Sequence, residues 1–107
     1  MTPGEINRLI AEKCCKWHLV GKRWYDENNK ELPFVDQQWS ELYFDPNHNR
    51  DHAMMALEKF ERWLIQRTGY YKCLIELGNN RIAFSGKENT PSAAISEALV
   101  EAVKEKE

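Results

Sequence analysis

Apolar residues recur at two periods along this chain: three-to-four in its first, middle and last stretches, and two in the segments between. Ile6, Leu9, Ile10 and Cys14 keep helical spacing. Thr2 ahead of them can cap, Pro3 suits the first helical position, and Glu5 sits where a capping-box acid reaches back. Trp17-His18-Leu19-Val20 and Arg23-Trp24-Tyr25-Asp26 flank Gly21-Lys22, and glycine leading a two-residue loop suits a type II′ hairpin turn. That register sets Leu19 opposite Trp24 and His18 opposite Tyr25, so Trp17, Leu19 and Trp24 share one face. Glu27-Asn28-Asn29-Lys30 reads as a turn, and Pro33 argues against a central strand after it. Phe34, Trp39, Leu42, Tyr43 and Phe44 are too apolar for a free linker. Residues 27–44 are therefore expected as a packed loop, with room for one helical turn or a short edge strand.

Asp45-Pro46-Asn47-His48-Asn49 stops one element and starts a helix. Ala53, Ala56, Leu57, Phe60 and Leu64 recur at three and four, with Met54 and Trp63 flanking the stripe. Glu58, Lys59, Glu61 and Arg62 cover the other side, and Gly69 is placed to cap the C-terminus, which predicts a central helix. Tyr70 to Leu77 and Arg81 to Ser85 form a second hairpin across Gly78-Asn79-Asn80. Either two-residue turn in that loop puts Cys73, Ile75, Leu77, Ile82 and Phe84 on one face, with Tyr70, Leu74 and Ala83 on a mixed opposite face. Thr90-Pro91 repeats the cap-then-proline start, and Ala94, Ile95, Ala98, Leu99, Ala102 and Val103 make a narrow stripe of mostly small residues. The expected fold class is α+β: an α/β/α sandwich, in the order α-ββ-α-ββ-α, around an antiparallel four-stranded sheet.

At 107 residues, 1–107 is expected to be one domain, able to bury roughly two-thirds of its unfolded surface without disulfides or metal. The net charge is −2 and 30% of residues are charged, which leaves no basic footprint for nucleic acid. Lys13, Lys16, Lys22 and Arg23 read as a solvated face. Charges among residues 5–13 interrupt any secretory leader, and no apolar run approaches the roughly 20 residues of a membrane span. Three cysteines, two of them adjacent, make no secreted disulfide framework, so a reducing cytoplasm is the expected location.

Several segments together resemble the phage ABA sandwich domain family, small proteins of bacteriophages and prophages of Gram-positive bacteria. They are Glu5-Ile6-Asn7-x-x-Ile10-Ala11-Glu12-Lys13, then Trp17-His18-Leu19 with Trp24-Tyr25-Asp26, then Phe44-Asp45-Pro46 through Asp51-x-Ala53 to Glu58-Lys59, and last Thr90-Pro91-x-Ala93-Ala94-Ile95. The likeness covers nearly the whole chain. It departs from the family's pattern where 32–42 runs long and where Asn47-His48-Asn49-Arg50 lacks a Ser-Thr. The resemblance implies an α/β/α sandwich and a phage origin, so the expected cytoplasm is that of the host cell. It implies no enzymatic activity and so supplies no catalytic residues.

The candidate chemistry is sparse. Cys14-Cys15-x-x-His18 has metal-ligand residue types, but neighbouring cysteines on a helix diverge and no second Cys/His pair follows. Cys14 is expected buried, Cys15 partly exposed, and Cys73 a small core residue. His48 and His52, with Asp45 and Asp51 nearby, are the nearest approach to a metal pair, although Asn49 and Asp51 have an ordinary capping role there. Ser85, Ser92 and Ser96 lack a nucleophile turn, and no phosphate-cradling glycine loop is present. No cofactor and no enzymatic activity are expected. What remains is the aromatic surplus. Arg23, Trp24, Tyr25, Trp39 and Arg50 are the candidate binding residues, as a rim that stacks a planar ligand or anchors a protein. The expected function is a non-enzymatic phage accessory protein that binds a protein partner or itself. The alternative is a nucleotide-type small-molecule binder that sequesters a host-defence signal.

Overall fold

A computed structural model describes residues 1–37 and 40–106. Helix α1 (Pro3–Leu9) starts as its sequence dictates. The Thr2 hydroxyl accepts the Glu5 N–H at 3.2 Å, and the Glu5 carboxylate accepts the Thr2 N–H at 3.3 Å. The helix then widens into a π-type turn over Ile10–Cys14, closed by the Cys15 N–H donating to the Ile10 carbonyl at 3.1 Å. A wider turn brings more consecutive residues onto one face. That is why Cys14 and Cys15 are both buried, whereas a regular helix would have turned Cys15 partly outward.

Strands β1 (His18–Val20) and β2 (Arg23–Tyr25) pair in the expected register, Leu19 with Trp24 and His18 with Tyr25, about a Gly21 at φ +63°. Strand β3 (Glu31–Val35) adds to β2 as an edge, the position in which Pro33 leaves no ladder partner unsatisfied. The turn between them is locked by Asp26, whose carboxylate accepts the N–H groups of Asn28 and Lys30.

Helix α2 (Arg50–Leu57) is shorter than the apolar spacing predicts, and Arg62–Arg67 is not its last turns but strand β4. Leu64, expected on the inward stripe, is exposed, and Gly69 at φ +79° turns a hairpin instead of capping a helix. The reason is tertiary: all six residues of β4 find cross-strand partners on β5 (Tyr71–Gly78), and this outweighs a spacing that fits either element. Strand β6 (Arg81–Phe84) completes the second ribbon, and helix α3 (Pro91–Lys106) follows.

The four-stranded sheet of the expected sandwich is therefore corrected. Among the described residues the strands form two separate three-stranded antiparallel sheets, ordered β1-β2-β3 and β4-β5-β6, and the elements read α-βββ-α-βββ-α. Helix α3 is the central helix, not the segment from Ala53 to Leu64. It packs on β5 and β6 and against α2 and α1, with Ala94, Ile95, Ala98, Leu99 and Ala102 fully buried. Alanine at three of these contacts permits the close approach.

The second hairpin also departs from expectation. Asn79 and Asn80, both at positive φ, make the two-residue turn with Gly78 opposite Arg81, but Leu77 is then an extra residue on β5. Beyond this bulge Glu76 faces Ile82, Ile75 faces Ala83 and Leu74 faces Phe84. One extra residue exchanges the two faces of β6. Ala83 is buried beside Ile75 and Cys73, while Ile82 and Phe84, expected inward, point outward.

Candidate functional site

Two features stand out: a polar cleft at one end of the helices and an apolar outer face on the second sheet. The cleft holds about 490 Å³ between the start of α1, the loop through Tyr43 and Asp45, and the start of α2. Asp45 is its hub. Its carboxylate accepts Nδ2–H of the buried Asn7 at 2.8 Å and lies 2.9 Å from His48 Nδ1. Its backbone N–H donates to His52 Nδ1 at 2.9 Å, and the Asn7 side-chain Oδ1 accepts the Asn47 N–H at 3.2 Å. Asn49 caps α2 by accepting the His52 N–H. A buried polar side chain is stable only when paired. Asn7 meets that condition by tying α1 to the start of α2.

His52 closes the floor of the cleft. Its ring stacks on Phe44 at 5.4 Å and meets Phe34 edge-on at 5.0 Å, and both phenylalanines pack on Trp17. Because Nδ1 accepts a backbone N–H, the neutral ring carries its proton on Nε2. Burial lowers its pKa from the usual 6.5, against the opposing pull of Asp45 and Asp51. His48, paired with Asp45 and exposed, precedes α2. The two histidines thus share the cleft, each with Nδ1 already engaged. Among the described residues no group of three or more His, Cys, Asp or Glu is placed to hold a metal ion.

A carboxylate–imidazole pair opening on a cleft can accept a proton, but nucleophilic chemistry needs a hydroxyl or thiol beside it. The Ser40 hydroxyl in this cleft is engaged with the Leu42 N–H at 3.1 Å. Cys15 and Cys73 are buried, and that burial pushes both thiols up to about 12, so they stay protonated.

Of the candidate binding residues, the structure describes four, and it separates Trp24 from its two strand neighbours. Trp24 is 3% exposed on the inner face of the first sheet, while Arg23 and Tyr25, its strand neighbours, lie on the outer face. Arg23 pairs with Glu31 at 3.5 Å, and Tyr25 stacks on His18 at 5.8 Å. Arg50 is exposed at the first position of α2. Trp39 lies outside the described residues. Asn7 of the cleft was missed. The available signal was Asn7 itself, a polar residue flanked by Ile6 and Ile10 on a face that turns inward.

The outer face of the second sheet was also missed, because it needs strand β4 to carry Leu64 and the bulge to turn Ile82 and Phe84 outward. Register aligns Leu64, Leu74 and Phe84 in one row across three strands, and Arg62, Glu76 and Ile82 in the next. Leu64 is 53%, Ile82 52% and Phe84 64% exposed. Arg62 and Glu76 form a solvent-exposed pair at 3.8 Å, and Trp63 borders a shallow hollow of about 180 Å³ beside them.

No family model matches this chain, and no curated protein matches it. Among solved structures it is similar to a phage protein from Bacillus cereus ATCC 14579, solved at 2.0 Å. The TM-score is 0.69 at 18% identity, over 97% of this chain and 89% of the other. At that identity the likeness shows the fold alone. Among the described residues no helix is long and apolar enough to cross a membrane.

Proposed function

We propose that this chain is a phage or prophage accessory protein that acts by binding a protein rather than by catalysis. The phage assignment is supported by the fold shared with the Bacillus cereus phage protein and by the sequence resemblance to phage ABA sandwich proteins. The binding reading rests on one observation, the row of Leu64, Leu74 and Phe84 with Ile82 beside it on an uncovered sheet face. Contiguous exposed apolar side chains rimmed by charge are the usual mark of an interaction surface. A photo-crosslinking residue placed at 84 or at 64, in host cells carrying the phage, tests it. The expected result is a discrete crosslinked polypeptide from both positions. No crosslink from either would overturn the reading.

Small-molecule binding is favoured by the cleft, whose volume falls in the range of ligand pockets. Its lining offers Glu41, Asp45 and two imidazoles, with no Lys or Arg among the described residues, so a neutral or amine-bearing ligand suits it better than a phosphate. Thermal-shift screening is expected to show no stabilisation by nucleotides. A shift of several degrees with one nucleotide class would favour sequestration instead.

A further inference from the structure

The outer face of β4–β6 is self-complementary about Leu74. On β5 it carries Lys72, Leu74 and Glu76, a cation and an anion each two residues from the leucine. Leu74 is also the middle of the cross-strand row Leu64–Leu74–Phe84. Two copies facing each other around a two-fold axis through this point have two simple arrangements. An axis along β5 sets Glu76 over Glu76 and Lys72 over Lys72, so both charge pairs repel. An axis along the row sets Leu74 over Leu74 and Glu76 of each copy over Lys72 of the other, so both attract. Charge thus selects one isologous arrangement and disfavours its competitor.

We infer that this protein pairs with a second copy of itself through the outer faces of β4–β6, with the two β5 strands antiparallel. The inference rests on the reading that this face binds a protein, and it names the occupant. The pairing makes four layers, with the two sheets inside and each copy's helices outside, and covers Leu64, Ile82 and Phe84 in one step. The three side chains offer roughly 300 Å² of apolar surface per copy. Two copies together bring about 600 Å² of apolar surface, half of the roughly 1,200 Å² at the low end of stable interfaces, so the dimer is weak and reversible.

Sedimentation equilibrium of the full chain from about 10 μM to about 1 mM reads this directly. A reversible monomer–dimer equilibrium is expected. Phe84→Ser, at an exposed position whose far-UV circular dichroism should not change, weakens dimerisation by about tenfold or more. Lys72→Glu and Glu76→Lys each weaken it severalfold when alone, because each sets like charges together twice. Mixed in equal amounts the two variants regain it, because every facing pair is then opposite. A chain monomeric throughout overturns the pairing, as does a dimer indifferent to Phe84→Ser or a mixture that regains nothing. A monomeric chain whose position 84 still crosslinks to a different polypeptide overturns the pairing while the binding reading stands.

Discussion

The first and second sheets are built alike, each three antiparallel strands with one face toward the core, but they treat their outer faces in opposite ways. On the first sheet Arg23 meets Glu31, and His18 stacks on Tyr25, leaving Val20 as a single exposed aliphatic. On the second sheet Leu64, Leu74 and Phe84 run in a continuous row with Ile82 beside it. Lone exposed aliphatics are ordinary; a contiguous set is not. The inner faces of both sheets are what folding must specify. An outer face is constrained by solubility alone, so apolar residues gathered there carry information that buried ones do not. The first sheet also meets α2 through the His52 ring, which lies edge-on to Phe34 of β3, whereas the second packs against α3.

The largest effects probe what the sheets have in common. Trp24→Ala in the first should cost about 3–5 kcal/mol and Ile75→Ala in the second about 2–5 kcal/mol by urea unfolding, since both side chains are buried. A loss near zero at either would break the equivalence of the inner faces. Asn7→Ala comes next, at about 1–3 kcal/mol, because it strips partners from the Asp45 carboxylate and the Asn47 N–H together.

The pH dependence also belongs to the first region. The folded pKa of His52 lies below its ordinary 6.5, chiefly because burial penalises the imidazolium. The unfolded chain therefore takes up this proton first as pH falls. The contribution is complete above the ordinary histidine value and is lost as pH drops through it toward the lower folded value. Melting temperatures should decline from about pH 8 to about pH 5, and less steeply in His52→Gln. Parallel curves for the two proteins would remove His52 from the account. The smallest effect is the sharpest contrast: Phe84→Ser should leave monomer stability within about 0.5 kcal/mol of the parent, read at a concentration too low for association.

What could be read from residues alone was what neighbours decide. The Thr2–Glu5 capping box, the Leu19–Trp24 register and the α3 stripe each rest on local signals a few residues long, and the structure keeps all three. Strand β4 was illegible because Leu64 falls at helical spacing from Leu57 and Phe60, and only pairing with β5 makes it extended. The cleft was half legible: Asp45, His48 and His52 lie close in sequence, but the α1 side of it could not be read. Asn7 and Asp45 are 38 residues apart, and nothing near either one specifies the other. Simple alternation divides Arg23-Trp24-Tyr25 between two faces, since three consecutive strand residues cannot share one side.

The extra residue at Leu77 sets the parity of everything after it in the ribbon. Were the ladder closed across it, with Leu77 opposite Ile82 and no bulge, β6 would turn over. Phe84 would swing beneath α3 into space now shaped for Ala83, and the row that faces outward would lose its end. A bulge of one residue near a hairpin tip ordinarily passes unnoticed. Here its loss to regular pairing would crowd the interior and erase the sticky exterior together, so the pairing at the tip is as consequential for this protein as any side chain it displays.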